Sequence, residues 1–274
     1  MSSVAAEPRT LAPLGRRFAE VTDNREVGAY RLLSALDSEG PREPRPGQFY
    51  MLAAVERWGG DGERPFLPRA FSYARAREDG TLDFLLEDVG PGTRRLAELR
   101  PGDGLWLVGP LGVGFWPPPA GGRPLLVGGG IGTAPLLCLQ DELGPETAAL
   151  LGFRSGDHAE AASLFVGEPA VTTDDGSVGR HALVTELLRE ALDREPSVAV
   201  FACGPPPMLE AVRALCAERE VSAQLALESG MACGYGACFG CVVPTKNGYV
   251  RLCVDGPVLD AADLDTALIA GTGH

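Results

Sequence analysis

The chain has 274 residues, of which 45% are hydrophobic and 22% charged, and its formal net charge is −13. This negative balance argues against nucleic acid or an anionic membrane surface as a partner, because both would repel the protein. The opening MSSVAAEPRT shows no secretory signal, and no apolar stretch approaches the roughly 20 residues that span a bilayer. We therefore expect a cytoplasmic protein with room for two domains and a small appendage.

The part of the chain before Trp116 consists of short apolar or alternating segments that are typical of strands. The predicted strands are Phe18–Asn24, Val27–Leu33, Phe49–Ala54, Ala70–Arg75, Thr81–Val89 and Leu105–Val108. Turn signals such as Pro46-Gly47 and Asp79-Gly80 separate them, and one short helix is predicted over Thr93–Leu99. Short strands with frequent turns indicate a small antiparallel barrel.

A proline- and glycine-rich run, Trp116–Gly122, marks a domain boundary, because it cannot form the interior of a helix or strand. Beyond it, predicted strands alternate with helices, which implies a doubly wound parallel sheet. The strands are Pro124–Val127, Thr147–Phe153, Ala170–Thr173, Val198–Cys203 and Ala223–Glu228, and the helices are Thr133–Leu143, Arg180–Leu192 and Pro206–Arg219. We predict a barrel domain at 1–117, an α/β domain at 118–228 and a cysteine-bearing domain at 229–274.

Four of the seven cysteines lie near the end of the chain, at Cys233, Cys238, Cys241 and Cys253. The form C-x4-C-x2-C followed by a distant cysteine is the plant-type spacing for a [2Fe–2S] cluster. Gly234, Gly236 and Gly240 would let the loop wrap closely around the cluster. The fourth ligand would come from a predicted strand at Tyr249–Cys253. The spacing predicts Cys233, Cys238, Cys241 and Cys253 as iron ligands.

A structural zinc site is the main alternative for these four thiolates. Zinc sites of this kind usually show two C-x2-C pairs, and this segment has one. Cys138 and Cys216 fall on predicted helices among leucines and alanines, so we interpret them as small core residues.

A dinucleotide site is indicated by the glycine-rich segment Gly128–Gly132, which follows the strand Leu125–Val127 and precedes a helix. This order lets a pyrophosphate approach the backbone at a helix N-terminus. The spacing is not a clean G-x-G-x-x-G, so a tight turn without a ligand remains open. Cys203-Gly204-Pro205 follows a later strand, at the edge where open α/β sheets bind ligands.

Two segments of the first domain suit a flavin. Arg69-Ala70-Phe71-Ser72 lies on a predicted strand, and its arginine and serine could hold a phosphate and a ring edge. Gly92 and Thr93 stand at a helix start, where free amides can bind a pyrophosphate.

In this order, R-x-F-S, G-x-G-T, G-G-G-I-G-x-A-P, C-G-P-x-P-M and the cysteine motif resemble the ferredoxin reductase superfamily. Within that superfamily, the segment SGMACGYGACFGC and Asp255-Gly256-Pro257 most resemble the electron-transfer subunits of NAD-dependent dihydroorotate dehydrogenases. The chain departs from the family at Ala70, where proline is usual, and at Val113, where asparagine is frequent.

The resemblance implies that the chain binds FAD, NAD and a [2Fe–2S] cluster. The implied FAD residues are Arg69, Ala70, Phe71, Ser72, Glu87, Gly92 and Thr93. The implied NAD residues are Gly128, Gly129, Gly130, Ile131, Gly132, Cys203, Gly204 and Pro205, with Cys203 near the nicotinamide.

The resemblance also implies an FMN-containing catalytic subunit as partner, in a two-plus-two heterotetramer. Electrons from dihydroorotate would pass through the cluster and FAD to NAD, in pyrimidine biosynthesis. Hydride transfer needs no acid–base side chain, so we assign no catalytic role to His158, His181 or His274. Two alternatives stay open at this point, namely a related reductase serving a hydrogenase or ferredoxin-linked partner, and a non-catalytic zinc-binding scaffold.

Overall fold

The computed structural model describes residues 15–59, 64–195 and 197–268. The opening segment 1–10 and His274, both interpreted above, lie outside the described residues. No helix in the described ranges is long and apolar enough to cross a membrane.

The first half of the chain forms a seven-stranded antiparallel half-barrel. Its elements are β1 (Arg17–Val27), β2 (Tyr30–Leu36), β3 (Phe49–Ala54), β4 (Arg69–Ser72), β5 (Arg75–Ala76), β6 (Thr81–Leu86), helix α1 (Pro91–Ala97) and β7 (Gly104–Leu111). The strand order is β4-β3-β7-β1-β2-β6-β5. The predicted antiparallel barrel is thereby confirmed, in half-closed form.

The strand predicted over Ala70–Arg75 is wrong in its continuity. The strand is interrupted at Tyr73 and Ala74. As a result β4 pairs with β3, and β5 pairs with β6 at the other end of the sheet. Both residues at the break are buried, and the Tyr73 hydroxyl donates to the Pro44 carbonyl at 2.6 Å. This change of partner strand lets the sheet curl around its apolar interior, in which Tyr50 and Phe84 pack edge to face.

The second half is a parallel sheet covered by helices on both faces. Its elements are β8 (Arg123–Gly129), α2 (Ala134–Leu143), β9 (Ala148–Phe153), α3 (Gly156–Ala159), β10 (Ala170–Thr173), β11 (Arg180–His181), α4 (Val184–Arg194), β12 (Val198–Cys203), α5 (Pro206–Glu218) and β13 (Ala223–Ala226). The strands are ordered β11-β10-β9-β8-β12-β13. Helix α2 packs on one face and helices α4 and α5 on the other, which confirms the doubly wound prediction.

Two predicted elements of the second half are corrected. Arg180 and His181 do not begin a helix, because they pair in parallel with β10 as a short edge strand, and the helix starts at Val184. The strand expected over Tyr249–Cys253 ends at Arg251, and Cys253 lies on a helical turn.

The last part of the chain carries a hairpin and then rejoins the parallel sheet. Its elements are β14 (Val242–Thr245), β15 (Gly248–Arg251), α6 (Leu252–Asp255) and β16 (Val258–Asp260). Strand β16 pairs antiparallel with β13, so the sheet of the second domain receives a strand from beyond residue 228. The buried Cys241, Val243 and Leu252 pack in one core cluster with Met51 of the half-barrel and Leu209 of α5. The cysteine-bearing segment is therefore packed against both larger units.

Candidate functional site

A cavity of about 400 Å³ opens between the half-barrel and the parallel sheet. Strand β4 and the start of α1 form one wall, through Arg69–Ser72 and Gly90–Thr93. The opposite wall includes Ile131, which follows β8, and Cys203, which ends β12. The carboxyl ends of the parallel strands thus meet the predicted flavin residues in one space, as expected at the switch point of an open sheet.

Arg69 and Gly92 lie next to each other on the half-barrel wall. A Cβ atom at Gly92 would lie 2.5 Å from Nε of Arg69, so a larger residue there would displace this guanidinium. The Arg69 side chain also donates to the Leu67 carbonyl at 2.6 Å, which fixes its direction. A fixed guanidinium beside a glycine backbone suits the phosphate of a dinucleotide.

The Thr93 hydroxyl is used by the protein itself. It accepts hydrogen bonds from the amides of Val89 and Gly90, at 2.9 and 3.0 Å, and donates to the Gly90 carbonyl. It therefore shapes the turn before α1, and what Thr93 offers a ligand is its backbone in the first helical turn.

The glycine-rich segment packs tightly on the loop after β12. A Cβ atom at Gly132 would lie 2.5 Å from the Gly204 nitrogen, so this glycine is needed for close packing. Gly128 and Gly129 complete β8, and Gly130–Thr133 form a 3-10 turn that leads into α2. The two predicted halves of the NAD site are thus in contact, although they are far apart in sequence.

Cys203 is buried at this junction, and burial raises the pKa of its thiol well above the usual value. The side chain is therefore a neutral thiol at physiological pH. It lines the cavity as a small apolar group between the two domains.

Ser229 lines the same cavity, and its hydroxyl is buried without a hydrogen-bond partner in the described residues. Buried hydroxyls are rarely left unpaired, because desolvation costs about 1–3 kcal/mol. An acceptor or donor on a bound ligand would satisfy it. The cavity therefore fits a flavin, with a cationic side chain and helix-start amides at one side and an unsatisfied hydroxyl at the other.

The four predicted cluster cysteines form two pairs. The Cys238 side chain helps to lower the pKa of the Cys233 thiol, and the Cys241 side chain helps to raise that of the Cys253 thiol, so the two members of each pair lie close together. The Cys253 amide also lies 3.4 Å from the Cys241 sulfur. In the described ranges, no three histidine, cysteine or acidic side chains surround a point that could hold a single metal ion. Two thiolate pairs match a [2Fe–2S] cluster, in which each iron takes two cysteines besides the bridging sulfides.

The loop between these cysteines is held in a wrapped conformation. Gly234 and Gly236 have φ angles of 81° and 87°, as their predicted role requires. The φ angle of Gly240 is not positive, and Phe239 has a φ of 59°, but the Gly240 amide donates to the Cys238 sulfur at 3.4 Å. Arg251 stabilises this shape by donating to the Gly236 carbonyl at 3.2 Å and by lying 5.3 Å from the Phe239 ring centre.

The thiols at the two ends of the segment differ in acidity. Burial raises the pKa of the Cys233 thiol, but hydrogen bonds from the amides of Cys238, Tyr235 and Ala237 outweigh it and lower the pKa to about 6. Burial and the adjacent Cys241 thiol raise the pKa of Cys253 to about 12. The amides around Cys233 therefore stabilise a thiolate, which is the form that binds iron.

Glu228, Ser229 and Met231 are among the cavity residues that sequence reasoning missed. They lie between the end of β13 and the first cysteine. The signal that could have found them is their position, since residues that follow strand ends in an open parallel sheet line its ligand site.

A polar contact that sequence reasoning did not predict joins the two larger domains. Glu87, which follows β6 and was predicted with the FAD residues, lines the cavity and pairs with Arg154 after β9, at 2.6 Å. His158 of α3 lies 2.7 Å from the same Arg154 nitrogen. Nothing in the local sequence pairs residues 67 positions apart, so only the tertiary structure reveals this contact.

Comparisons with known proteins give the family. Residues 228–265 match the model of the iron-sulfur cluster binding domain of dihydroorotate dehydrogenase B. The electron transfer subunit of dihydroorotate dehydrogenase B (NAD(+)) from Caldanaerobacter subterraneus subsp. tengcongensis is 35% identical, over 90% of this chain and 97% of that protein. The corresponding subunit from Bacillus caldolyticus is 37% identical, over 92% and 99%.

Solved structures agree with the observed fold. One chain from the NADH-dependent reduced ferredoxin-NADP oxidoreductase superposes with a TM-score of 0.75 and 26% identity, over 90% of both chains. The ferredoxin reductase in carbazole 1,9a-dioxygenase gives 0.65 and 23%, over 76% of this chain and 66% of that one, and shows the same fold. With its ferredoxin-reductase-like fold and its relatives over nearly the full length, the chain belongs to the family of dihydroorotate dehydrogenase B (NAD(+)) electron transfer subunits.

Proposed function

We propose that the chain carries electrons from an FMN-containing dihydroorotate dehydrogenase catalytic subunit, through a [2Fe–2S] cluster and FAD, to NAD in pyrimidine biosynthesis. The observation that carries the proposal is the convergence of the three predicted sites. Ser229 and Met231, which lead into the cysteine segment, line the same cavity as Arg69 and Cys203. Electron carriers held at these sites would be near neighbours.

The chain's own residues would position these groups. Arg69 and the backbone of Gly92 and Thr93 would hold the FAD phosphates, and Ser72 would face the ring edge. The Gly128–Gly132 segment and Cys203–Pro205 would bind the dinucleotide. When bound, the flavin would take up electrons singly from the iron–sulfur centre and pass two of them as a hydride to NAD. No proton needs to be moved by a side chain, so this proposal assigns no general acid or base.

The four cysteines would hold the cluster at the surface. Cys238 is exposed whereas Cys241 and Cys253 are buried, so one side of the segment faces solvent and the other the core. Three large aromatic side chains in this segment are exposed, namely Tyr235, Phe239 and Tyr249. Exposed aromatic groups around a redox centre suit a partner interface, so we place the catalytic subunit here.

The two-plus-two assembly, the cytoplasmic location and the domain bounds 1–117, 118–228 and 229–274 are parts of the proposal.

The proposal is tested on the purified chain loaded with FAD, iron and sulfide. Anaerobic NADH should bleach the flavin bands first and the cluster bands after them. An artificial acceptor should then be reduced catalytically. A fully loaded sample whose spectrum does not respond to NADH would contradict the proposal. Co-expression with an FMN-containing dihydroorotate dehydrogenase subunit should give a stable complex that reduces NAD with dihydroorotate.

A second candidate is a reductase subunit for a ferredoxin-linked partner. It is favoured by the similarity to a chain of the NADH-dependent reduced ferredoxin-NADP oxidoreductase. The co-expression experiment separates the two, because this candidate predicts reduction of ferredoxin and no complex with the dihydroorotate-oxidising subunit.

A further inference from the structure

Arg154 stands at the position that selects between NAD and NADP in open α/β sheets. It follows β9, which pairs in parallel with β8, the strand that leads into the glycine-rich segment. About 20 residues beyond such a glycine segment, an acidic residue binds the ribose 2′-hydroxyl of NAD, or an arginine nearby binds the 2′-phosphate of NADP. An unopposed arginine here would favour NADP, because a guanidinium binds phosphate strongly.

The Arg154 guanidinium is not free for this role. It lies 2.6 Å from the Glu87 carboxylate and 2.7 Å from Nε2 of His158. The Glu87 side chain is only 25% exposed, and it comes from the other domain. His158 is itself held by Ser155, at 2.8 Å from Nδ1, and by the edge of the Tyr30 ring. The carboxylate is therefore fixed opposite the arginine by groups from both domains.

Glu87 has two effects on a dinucleotide that binds here. It neutralises the arginine that would attract a 2′-phosphate, and its carboxylate would lie beside that phosphate. Like charges placed together in a binding site discriminate strongly against the wrong ligand. The Asp175 amide donates to the Arg154 carbonyl, so a second acidic residue lies next to Arg154.

We propose that Glu87 is a specificity-determining residue that makes the chain prefer NAD over NADP by holding Arg154 across the domain interface. The inference rests on the proposed function, since it concerns the dinucleotide that this function uses. It assigns Glu87 a role distinct from the FAD contact expected from the sequence.

The test compares Glu87→Gln, the double variant Glu87→Gln with Arg154→Leu, and the control Glu190→Gln. Glu190 pairs with Arg180 on the surface of the same half of the chain, so its variant makes the same change in net charge and also removes one of the carboxylates that an arginine contacts. Affinities for adenosine 2′,5′-bisphosphate and AMP are measured by calorimetry on FAD-loaded protein. The kcat/KM values for NADPH and NADH are measured with an artificial acceptor.

Glu87→Gln should raise the preference for the 2′-phosphorylated ligand about tenfold, as expected for one charge-assisted phosphate contact. The double variant should show the wild-type ratio of affinities for the two nucleotides, and Glu190→Gln should show the same ratio. An unchanged ratio in Glu87→Gln, a gain that survives Arg154→Leu, or an equal gain in Glu190→Gln would each overturn the inference. The nucleotide affinities need no electron transfer, so wild-type protein that binds AMP but fails with NADH would count against the proposed function alone.

Discussion

At the scale of single residues, the unpaired hydroxyl of Ser229 makes the sharpest claim about flavin binding. It is buried in the cavity without a partner in the described part of the chain. If the ring edge of FAD satisfies it, Ser229→Ala should weaken FAD binding about tenfold, the value of one buried hydrogen bond. Titration of apoprotein with FAD, followed by flavin fluorescence, measures the effect.

Ser163→Ala is the matched control for this experiment. Its hydroxyl is exposed and donates to the Glu160 carbonyl, so FAD affinity should not change. Equal FAD affinities for Ser229→Ala and wild type would exclude Ser229 from the flavin site.

The cysteine assignment is also testable residue by residue. Cys238 is exposed and paired with Cys233, whereas Cys216 is buried on α5 at a distance from the motif in sequence. Cys238→Ala should lose the cluster absorbance together with iron and acid-labile sulfide, because a [2Fe–2S] centre needs four ligands. Cys216→Ala should keep all three. Full iron and sulfide in Cys238→Ala would show that this cysteine is not a ligand.

At the scale of secondary-structure elements, helix α5 holds the end of the described chain through Glu210. Its carboxylate accepts hydrogen bonds from the Ala267 amide at 2.6 Å, from Thr266 at 3.0 Å and from Arg213 at 2.7 and 2.9 Å. The hydrogen bond from Arg213 is the main reason why the Glu210 pKa falls from 4.5 to about 2. The segment after β16 is thereby fixed on α5.

This depressed pKa gives a pH dependence with a defined sign. The carboxylate stabilises the fold fully above pH 4.5, the unfolded value, and this stabilisation is lost as the pH falls towards 2. Glu210→Ala should lower the free energy of unfolding at pH 7 by about 1–2 kcal/mol. Urea unfolding measures the free energy of unfolding of both proteins. The difference between Glu210→Ala and wild type should become smaller below pH 4.5.

Glu218→Ala on the same helix is the control, since its exposed carboxylate makes a surface contact with Arg219. Such a change is expected to alter stability by less than about 0.5 kcal/mol. A difference between Glu210→Ala and wild type that is the same at pH 7 and pH 3 would contradict the role of the ionised carboxylate.

At the scale of the whole molecule, the exposed aromatic side chains of the cysteine segment predict where the partner subunit binds. Tyr249 on the β14–β15 hairpin is 80% exposed. Tyr249→Ala should weaken the complex with the catalytic subunit about tenfold, as for a moderate interface contact. NADH-dependent reduction of an artificial acceptor should stay unchanged, because this reaction does not use the partner.

Leu183→Ala is the control for the interface, since Leu183 is 61% exposed at the start of α4. It should leave complex affinity at the wild-type value when measured by surface plasmon resonance. An equal loss of complex affinity in both variants, or an unchanged affinity in Tyr249→Ala, would show that the partner binds elsewhere.

The sequence by itself determined the parts that depend on local spacing. The cysteine spacing predicts the cluster, because one short loop must bring its sulfurs together. Period and turn signals predicted an antiparallel barrel and a doubly wound sheet, and Phe49–Ala54, Ala170–Thr173 and Val198–Cys203 match the observed strands at both ends.

Tertiary structure alone decided which distant residues meet. It split the strand at Tyr73, because the chain there changes partner strands, and it returned β16 to the sheet of the preceding domain. The packing of the domains also determines that Ser229 lines the cavity and that Glu87 forms an ion pair with Arg154. Such contacts follow from how two domains pack, and no periodicity or spacing within a segment records the orientation of one domain against another.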